Sequence, residues 1–339
     1  MPIRLGILGM WHVHTAGLVA QIAQHPDEFQ LIGGFDSEPQ VVLQRQQDWK
    51  TLLPQFVWHT SPEDLLNERP DGVVVEGRVH ENLKWAAMAV DSGRPVLLEK
   101  PAGDCFQPFA TLLATARSKQ LHVQMIYLFR YMSAIQELLA RVQRGELGQI
   151  YEFRGRLPKD LSGYDDYVRE LGNYPGGIFF EMAGHLVDLI VATMGPPQAI
   201  TPFLAHHHPD QIAASSQPFI DNGVAIFTQP QGWGIIEVPA LEVAPYSRRI
   251  EVYGTEGACI IPHLGSGHLG NRQVQPIEVY RRGQPGWEQL ELPAATLQIS
   301  DLREFAAVIA GRKAPDFTPQ HDLVVHEALL RASGMWRDA

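Results

Sequence analysis

Ile3-Arg4-Leu5-Gly6-Ile7-Leu8-Gly9-Met10-Trp11-His12-Val13-His14, running on into Thr15 to Gln24, decides the fold. Ile3 to Leu8 is a short apolar run that stops at a glycine. Thr15 to Gln24 places Leu18, Val19 and Ile22 on one face of a helix. Outward from this unit the same alternation repeats. Phe29 to Phe35 is a second strand, stopped by the Asp36-Ser37-Glu38-Pro39 turn, and Val41 to Trp49 reads as a helix. Phe56 to Trp58 is a short strand ahead of Ser61-Pro62-Glu63-Asp64, which carries a hydroxyl at the cap, proline in the first turn and acids toward the positive helix end. Asp71 to Val75, with three consecutive valines, reads as a buried strand. Asn82 to Ser92 is a helix closed by Gly93, Pro95 to Leu98 a strand, Phe106 to Lys119 a helix and Leu121 to Ile126 a strand.

Strands and helices alternating at this spacing predict an α/β domain over residues 1–125, a Rossmann-type doubly wound parallel sheet. Right-handed crossovers bring the carboxyl ends of the strands to one edge, where ligands bind. Beyond that point the texture changes. Helices are expected at Ser133 to Arg144 and Ile178 to Met194, with a polar, tyrosine-rich loop ahead of Gly177. Strand-like runs follow at Ile150 to Leu157, Gly223 to Thr228, Trp233 to Pro239, Ser247 to Tyr253, Ala258 to Pro262 and Ile277 to Arg281. Leu302 to Ala310 and Asp322 to Met335 close the chain as helices. Residues 126–339 therefore read as an α+β domain with a largely antiparallel open sheet, its terminal helix free to pack back on the first domain. His206-His207-His208 lies in a Pro- and Gln-rich loop and is expected to be solvated.

The 339 residues carry 27 basic and 38 acidic side chains, a net charge of −11, which argues against nucleic acid and anionic membranes as partners. Two cysteines, Cys105 and Cys259, exclude a disulfide scaffold and fit a reducing compartment. The opening MPIRLGILGM has no signal-peptide pattern, and Glu181, His185 and Asp188 interrupt the most apolar long segment. A cytoplasmic protein is the expectation.

Several residues carry chemistry. Gly9 sits where a dinucleotide fold needs glycine, at the first strand–helix turn; the second glycine position of a G-x-G-x-x-G is Trp11 and the third is His14. Asp36 ends the second strand, where a carboxylate accepts the ribose hydroxyls of adenosine and repels a 2′-phosphate, so NAD is favoured over NADP. Read alone, it is equally a turn-starting Asp. Glu99-Lys100-Pro101 ends the fifth strand and delivers Lys100 to the ligand-binding edge, where an ammonium can polarise a C–O bond or carry its proton. The alternative is an ion-paired strand-end lysine. Glu181, His185 and Asp188 lie along one side of an otherwise apolar helix. His185 is there either a general base or acid oriented by Glu181, or a core histidine satisfied by its neighbours. His12 and His14 share a face if extended, but no H-E-x-x-H or other zinc spacing occurs, and no metal is expected.

In this order these segments resemble the Gfo/Idh/MocA oxidoreductases, the family of glucose–fructose oxidoreductase and inositol 2-dehydrogenase. The likeness runs through the glycine turn, Asp36, the E-K-P at 99–101, Phe129-Arg130-Tyr131, Gly145-Glu146-Leu147-Gly148, the G-G-x-x-x-E-x-x-x-H-x-x-D segment from Gly176 to Asp188, Val252-Tyr253-Gly254-Thr255-Glu256-Gly257, and the Phe305 helix with Pro319. The resemblance implies a nicotinamide cofactor between two domains and a homodimer or homotetramer built on the second sheet. It matches Lys100, Glu181 and His185 to the family's catalytic Lys, Asp and His, and Arg130 to a frequent active-site arginine. The chain departs at Trp11, at Gly77-Arg78-Val79-His80 where the family tends to read T-P-N, and at Glu181 where Asp is usual.

The expected cofactor-binding set is Gly9, Met10, Trp11, His12, Asp36, Gly77, Arg78, Glu99 and Lys100. The substrate set is Lys100, Arg130, Glu181 and His185, around a small hydroxyl or carbonyl compound. The expected activity is hydride transfer between NAD(H) and a sugar, polyol or cyclitol. The alternatives are a non-catalytic ligand-binding or sensory protein, which Trp11 favours, and a non-redox net reaction that recycles a bound NAD.

Overall fold

The computed structural model describes residues 1–207, 219–264 and 274–337. The chain divides into two compact units, 1–127 with 296–323, and 128–295 with 324–339. Residues 296–323, which the sequence reading assigned to the second domain, belong to the first.

In the first unit six strands form one parallel sheet: β1 (Ile3–Leu8), β2 (Phe29–Phe35), β3 (Val57–Trp58), β4 (Gly72–Val75), β5 (Val96–Glu99) and β6 (Val123–Ile126). Their order is β3-β2-β1-β4-β5-β6. The order reverses between β1 and β4, so a crevice opens at their carboxyl ends, which is where such sheets bind ligands. Helices α1 (Thr15–Gln24), α2 (Pro39–Trp49), α3 (Pro62–Asn67), α4 (Val79–Asp91) and α5 (Phe106–Ser118) make the crossovers. β4, β5 and β6 are buried at every residue, as expected of strands covered on both faces. Ser61 caps α3 as its sequence predicts, accepting from the Asp64 amide at 3.1 Å with Pro62 in the first turn. A later helix, α9 (Leu297–Ile309), completes the underside. Phe305 is fully buried there, and a Cβ on Gly72 of β4 would fall 2.5 Å from its ring. Gln124 of β6 donates to the Asp301 carbonyl at 3.0 Å.

The second unit is built on an eight-stranded sheet ordered β14-β13-β12-β11-β7-β10-β9-β8. Its strands are β7 (Ile150–Arg156), β8 (Ala199–Ala205), β9 (Asn222–Gln229), β10 (Gly232–Pro239), β11 (Arg249–Gly254), β12 (Gly257–Ile261), β13 (Val274–Arg281) and β14 (Glu288–Pro293). Every pairing is antiparallel except β7 with β10. Strands such as β9 and β13 alternate buried with half-buried residues, the signature of a sheet with one packed face. Helices α6 (Ser133–Gln143), α7 (Asp165–Leu171) and α8 (Gly177–Met194) lie in this unit, and α10 (Pro319–Ala332) carries the chain across the division at residue 323.

Helix α8 is the core of the second unit. It is the one helix among the described residues long and apolar enough to cross a membrane, yet 89% of it is buried in the protein. Glycines let it press on the sheet. A Cβ on Gly155 of β7 would lie 2.9 Å from Leu186, and one on Gly234 of β10 would lie 2.7 Å from Ile190. On its other sides α6, α7 and a short 3₁₀ turn (Leu128–Tyr131) cover it. A helix enclosed all round must be apolar all round, so Glu181, His185 and Asp188 stand out as buried polar groups that require partners.

The two cysteines are in opposite settings. Cys105 is exposed, whereas Cys259 on β12 is buried, and burial pushes its thiol up to about 12. Because the thiolate is the reacting form, a thiol reagent should modify Cys105 alone in the native protein and both cysteines in denaturant. Equal native reactivity would contradict this packing.

Candidate functional site

The carboxyl edge of the first sheet gathers most of the residues singled out in the sequence. Gly9 follows β1 with φ +74°. A Cβ there would collide with the Gly77 backbone, so the two glycines let the turns after β1 and β4 cross in contact. Asp36, at the end of β2, is buried and accepts the Met10 amide at 2.6 Å and the Glu38 amide at 2.8 Å. Burial raises its pKa against those two bonds. Each oxygen takes one amide, and a carboxylate oxygen has two acceptor positions, so capacity for ribose hydroxyls remains. Trp11 fills the second glycine position with its ring under the Arg78 guanidinium, 4.5 Å from the ring centre. Arg78 in turn forks onto Glu38, with Nη2 to Oε2 at 2.9 Å. His80 is exposed in the first turn of α4.

The His12 amide donates to the Glu76 carbonyl at 2.9 Å. Its ring turns inward to a cluster that sequence reasoning had not assembled. Glu99 Oε2 lies 3.2 Å from His14 Nδ1 and 3.7 Å from His12 Nδ1, and Glu76 Oε2 lies 3.5 Å from His12 Nδ1. Thr15 Oγ1 donates to Glu76 at 3.4 Å. Lys100 Nζ stands 3.9 Å from Glu99 Oε1, and the lysine is 1% exposed. The Lys100–Pro101 peptide is cis. Both carboxylates are fully enclosed, and their charges part accordingly. Burial, reinforced by the charge of Glu99, pushes Glu76 up to about 7. Burial also works to raise Glu99, but the imidazoles of His12 and His14 outweigh it and hold its carboxyl below the usual range. The His14 ring is held below its ordinary pKa, burial outweighing Glu99. Glu76 was missed because it reads as the end of a valine strand. Its one signal was a carboxylate placed directly after β4, at the edge where Glu99 follows β5.

In the second unit the α8 groups find separate partners. Asp188 is gripped by Arg130, with Nε to its two oxygens at 3.2 and 3.0 Å and Nη2 to Oδ1 at 2.6 Å; both side chains are 1% exposed. Arg130, expected among the substrate ligands, spends Nε and Nη2 on this clamp. Glu181 receives the Tyr167 hydroxyl from α7, a partner the sequence reading had left in a loop. Lys159 lies over the Tyr167 ring, 4.6 Å from its centre. His185 stacks on Phe129, centroids 4.5 Å apart and planes 23° apart. Tyr167 on Glu181 and Phe129 on His185 are neighbours that spacing along the helix had not indicated. His206, expected to be solvated, is half-buried, its Nδ1 2.6 Å from the Phe219 carbonyl oxygen; His208 lies outside the described residues.

Comparison with known proteins places this architecture. The family model for the GFO/IDH/MocA C-terminal domain matches residues 135–260. The chain is 25% identical over 259 residues to the uncharacterized oxidoreductase YdgJ of Escherichia coli, spanning 76% of this chain and 70% of that protein. It is 23% identical over 320 residues to a dTDP-3,4-didehydro-2,6-dideoxy-alpha-D-glucose 3-reductase of Streptomyces violaceoruber, 92% of this chain and 87% of the relative. In fold it is similar to UDP-N-acetylglucosamine 3-dehydrogenase GnnA from Acidithiobacillus ferrooxidans, with TM-score 0.78 and 17% identity over 99% of this chain and 98% of that one. With a 3-2-1-4-5-6 parallel sheet, an eight-stranded second sheet and a segment that matches the family's C-terminal domain, the chain is similar to the Gfo/Idh/MocA oxidoreductases.

Proposed function

We propose that the protein transfers hydride between NAD(H) and a secondary hydroxyl or carbonyl of a sugar, polyol or cyclitol-like compound. The observation that carries this reading is Lys100. Its ammonium is almost wholly removed from water at the carboxyl end of β5, and a desolvated lysine is costly unless it has a task. The nicotinamide dinucleotide, when bound, supplies or accepts the hydride. Gly9 and Gly77 keep the turns free of side chains for it, Asp36 takes the adenosine ribose, and the Trp11–Arg78 pair gives a flat face beside it. Lys100 gives or takes the hydroxyl proton, with Glu99 beside it balancing the charge. The family resemblance assigns proton carriage and a grip on substrate also to His185 and Glu181 in the second unit, where His185 stacks on Phe129 and Glu181 accepts from Tyr167. The names of the dTDP-sugar reductase and the UDP-N-acetylglucosamine dehydrogenase support a sugar-class substrate. A homodimer or homotetramer and a reducing, cytoplasmic setting belong to the same proposal.

A second reading, a non-catalytic ligand-binding protein, draws on the β1–α1 turn. There Trp11 replaces a glycine, and the Met10 and His12 amides are spent on Asp36 and Glu76. Titration with NADH and NADPH, following nicotinamide emission excited through tryptophan, separates the two. Saturable NADH binding tighter than NADPH is expected. Asp36→Ala should weaken NADH and narrow the difference, since the carboxylate that repels a 2′-phosphate is gone. A folded protein that binds neither dinucleotide would move the assignment to the second reading.

A further inference from the structure

We propose that the ends of β1, β4 and β5 hold a divalent transition-metal ion, bound by His12, His14 and Glu99 with Glu76 beside it. The inference does not rest on the hydride-transfer reading, although the two share Glu99: it is argued from the placement of His12, His14, Glu76 and Glu99 alone. His12 and His14 pair in the sequence but match no zinc spacing, and the acids that join them come from the ends of two other strands.

Three side chains each present one ligand atom within 4.8 Å of the other two. The distances from Glu99 Oε2 to His14 Nδ1 and His12 Nδ1 are 3.2 and 3.7 Å, and from His12 Nδ1 to Glu76 Oε2 3.5 Å. An ion with bonds of about 2.0–2.1 Å at tetrahedral angles keeps its ligands about 3.3–3.4 Å apart. Each separation is thus within a few tenths of an ångström of ligating geometry. Two imidazoles with carboxylate suit zinc and its neighbours, whereas calcium and magnesium prefer oxygen alone.

Charge points the same way. Glu76 and Glu99 are 1% and 0% exposed, and a dication offsets both where water cannot. The start of α1 lies beside the cluster and opposes a cation, but a helix end amounts to about half a unit of charge. Two carboxylates outweigh it even with the Lys100 ammonium 3.9 Å from Glu99 Oε1. The shell around the ligands is already arranged: Glu76 accepts from Thr15 Oγ1, and its carbonyl takes the His12 amide. The long contact from the His14 amide to His12 Nδ1, at 3.3 Å, is the bond an ion would replace.

The test is calorimetric titration of chelator-stripped full-length protein with Zn²⁺. His206, His207 and His208 are changed to alanine in the background so that the histidine tract cannot compete. One tight equivalent is expected, raising the thermal midpoint. His14→Ala and Glu99→Gln should each weaken it by about 100-fold. No tight equivalent, or one unaffected by both substitutions, overturns the proposal. Should either variant fail to fold, cobalt(II) titrated into the background protein decides. The intense visible bands of a four-coordinate nitrogen–oxygen site support the assignment, and the faint spectrum of an octahedral aquo ion refutes it.

Discussion

Lys100→Ala is expected to lower kcat by about 10²–10⁴ while leaving NADH affinity close to that of the native protein. The reasoning rests on where the charge sits. Lys100 is 1% exposed at the end of a fully buried strand, with the Glu99 carboxylate 3.9 Å away. A general acid or base acts only in the transition state, so its loss appears in kcat and kcat/KM together rather than in KM. Lys100→Met separates charge from bulk, because it keeps most of the stem and leaves no large cavity. If both variants leave turnover of an NADH-linked substrate intact, Lys100 is a strand-end ion pair and the proposed chemistry loses its main support.

The second large effect is on stability. Arg130→Ala should destabilise the protein by about 3–5 kcal/mol, because it leaves the Asp188 carboxylate buried without its guanidinium. The pair is closed on both sides, each side chain 1% exposed, and the fork makes three hydrogen bonds. Replacing both partners by apolar residues, Arg130→Met with Asp188→Leu, should recover most of the loss, since no orphaned charge then remains. Denaturant unfolding of the three variants measures this directly. The family resemblance makes a different forecast for Arg130, a raised KM at unchanged stability. That outcome would return the arginine to the substrate.

Much of the first unit was legible because parallel sheets write their function at strand ends. Gly9, Asp36, Glu99 and Lys100 each follow a recognisable apolar run, and the topology brings those ends to one edge. The cluster around them was not legible, since it joins residues far apart in the chain. His14 meets Glu99 across 85 positions and Thr15 meets Glu76 across 61. In the second unit the unread strands are β8 and β14, the two edges of the sheet. Edge strands bury less and tolerate breakers: β8 contains Pro202, and no residue of β14 is fully buried. Helix α7 was read as loop from its tyrosines and aspartates, although Tyr167, Val168 and Leu171 give it a buried side. The α8 residues were correctly singled out as anomalous, but their partners came from α7 and the 3₁₀ turn. Spacing along one helix cannot reveal those.

The return of residues 296–323 to the first unit has a consequence for how the chain is made. On the ribosome, all six strands of the parallel sheet emerge before residue 127, yet Leu302 and Phe305, both fully buried in that unit, are more than 160 residues from being synthesised. The nascent sheet must wait with its underside open while the entire second sheet is translated. A fragment ending at residue 125 keeps that opening permanently, with Gly72 and Gln124 facing the space that α9 fills. Such a fragment is a poor vehicle for studying nucleotide binding in isolation, and during the same interval the growing polypeptide exposes apolar surface that invites aggregation.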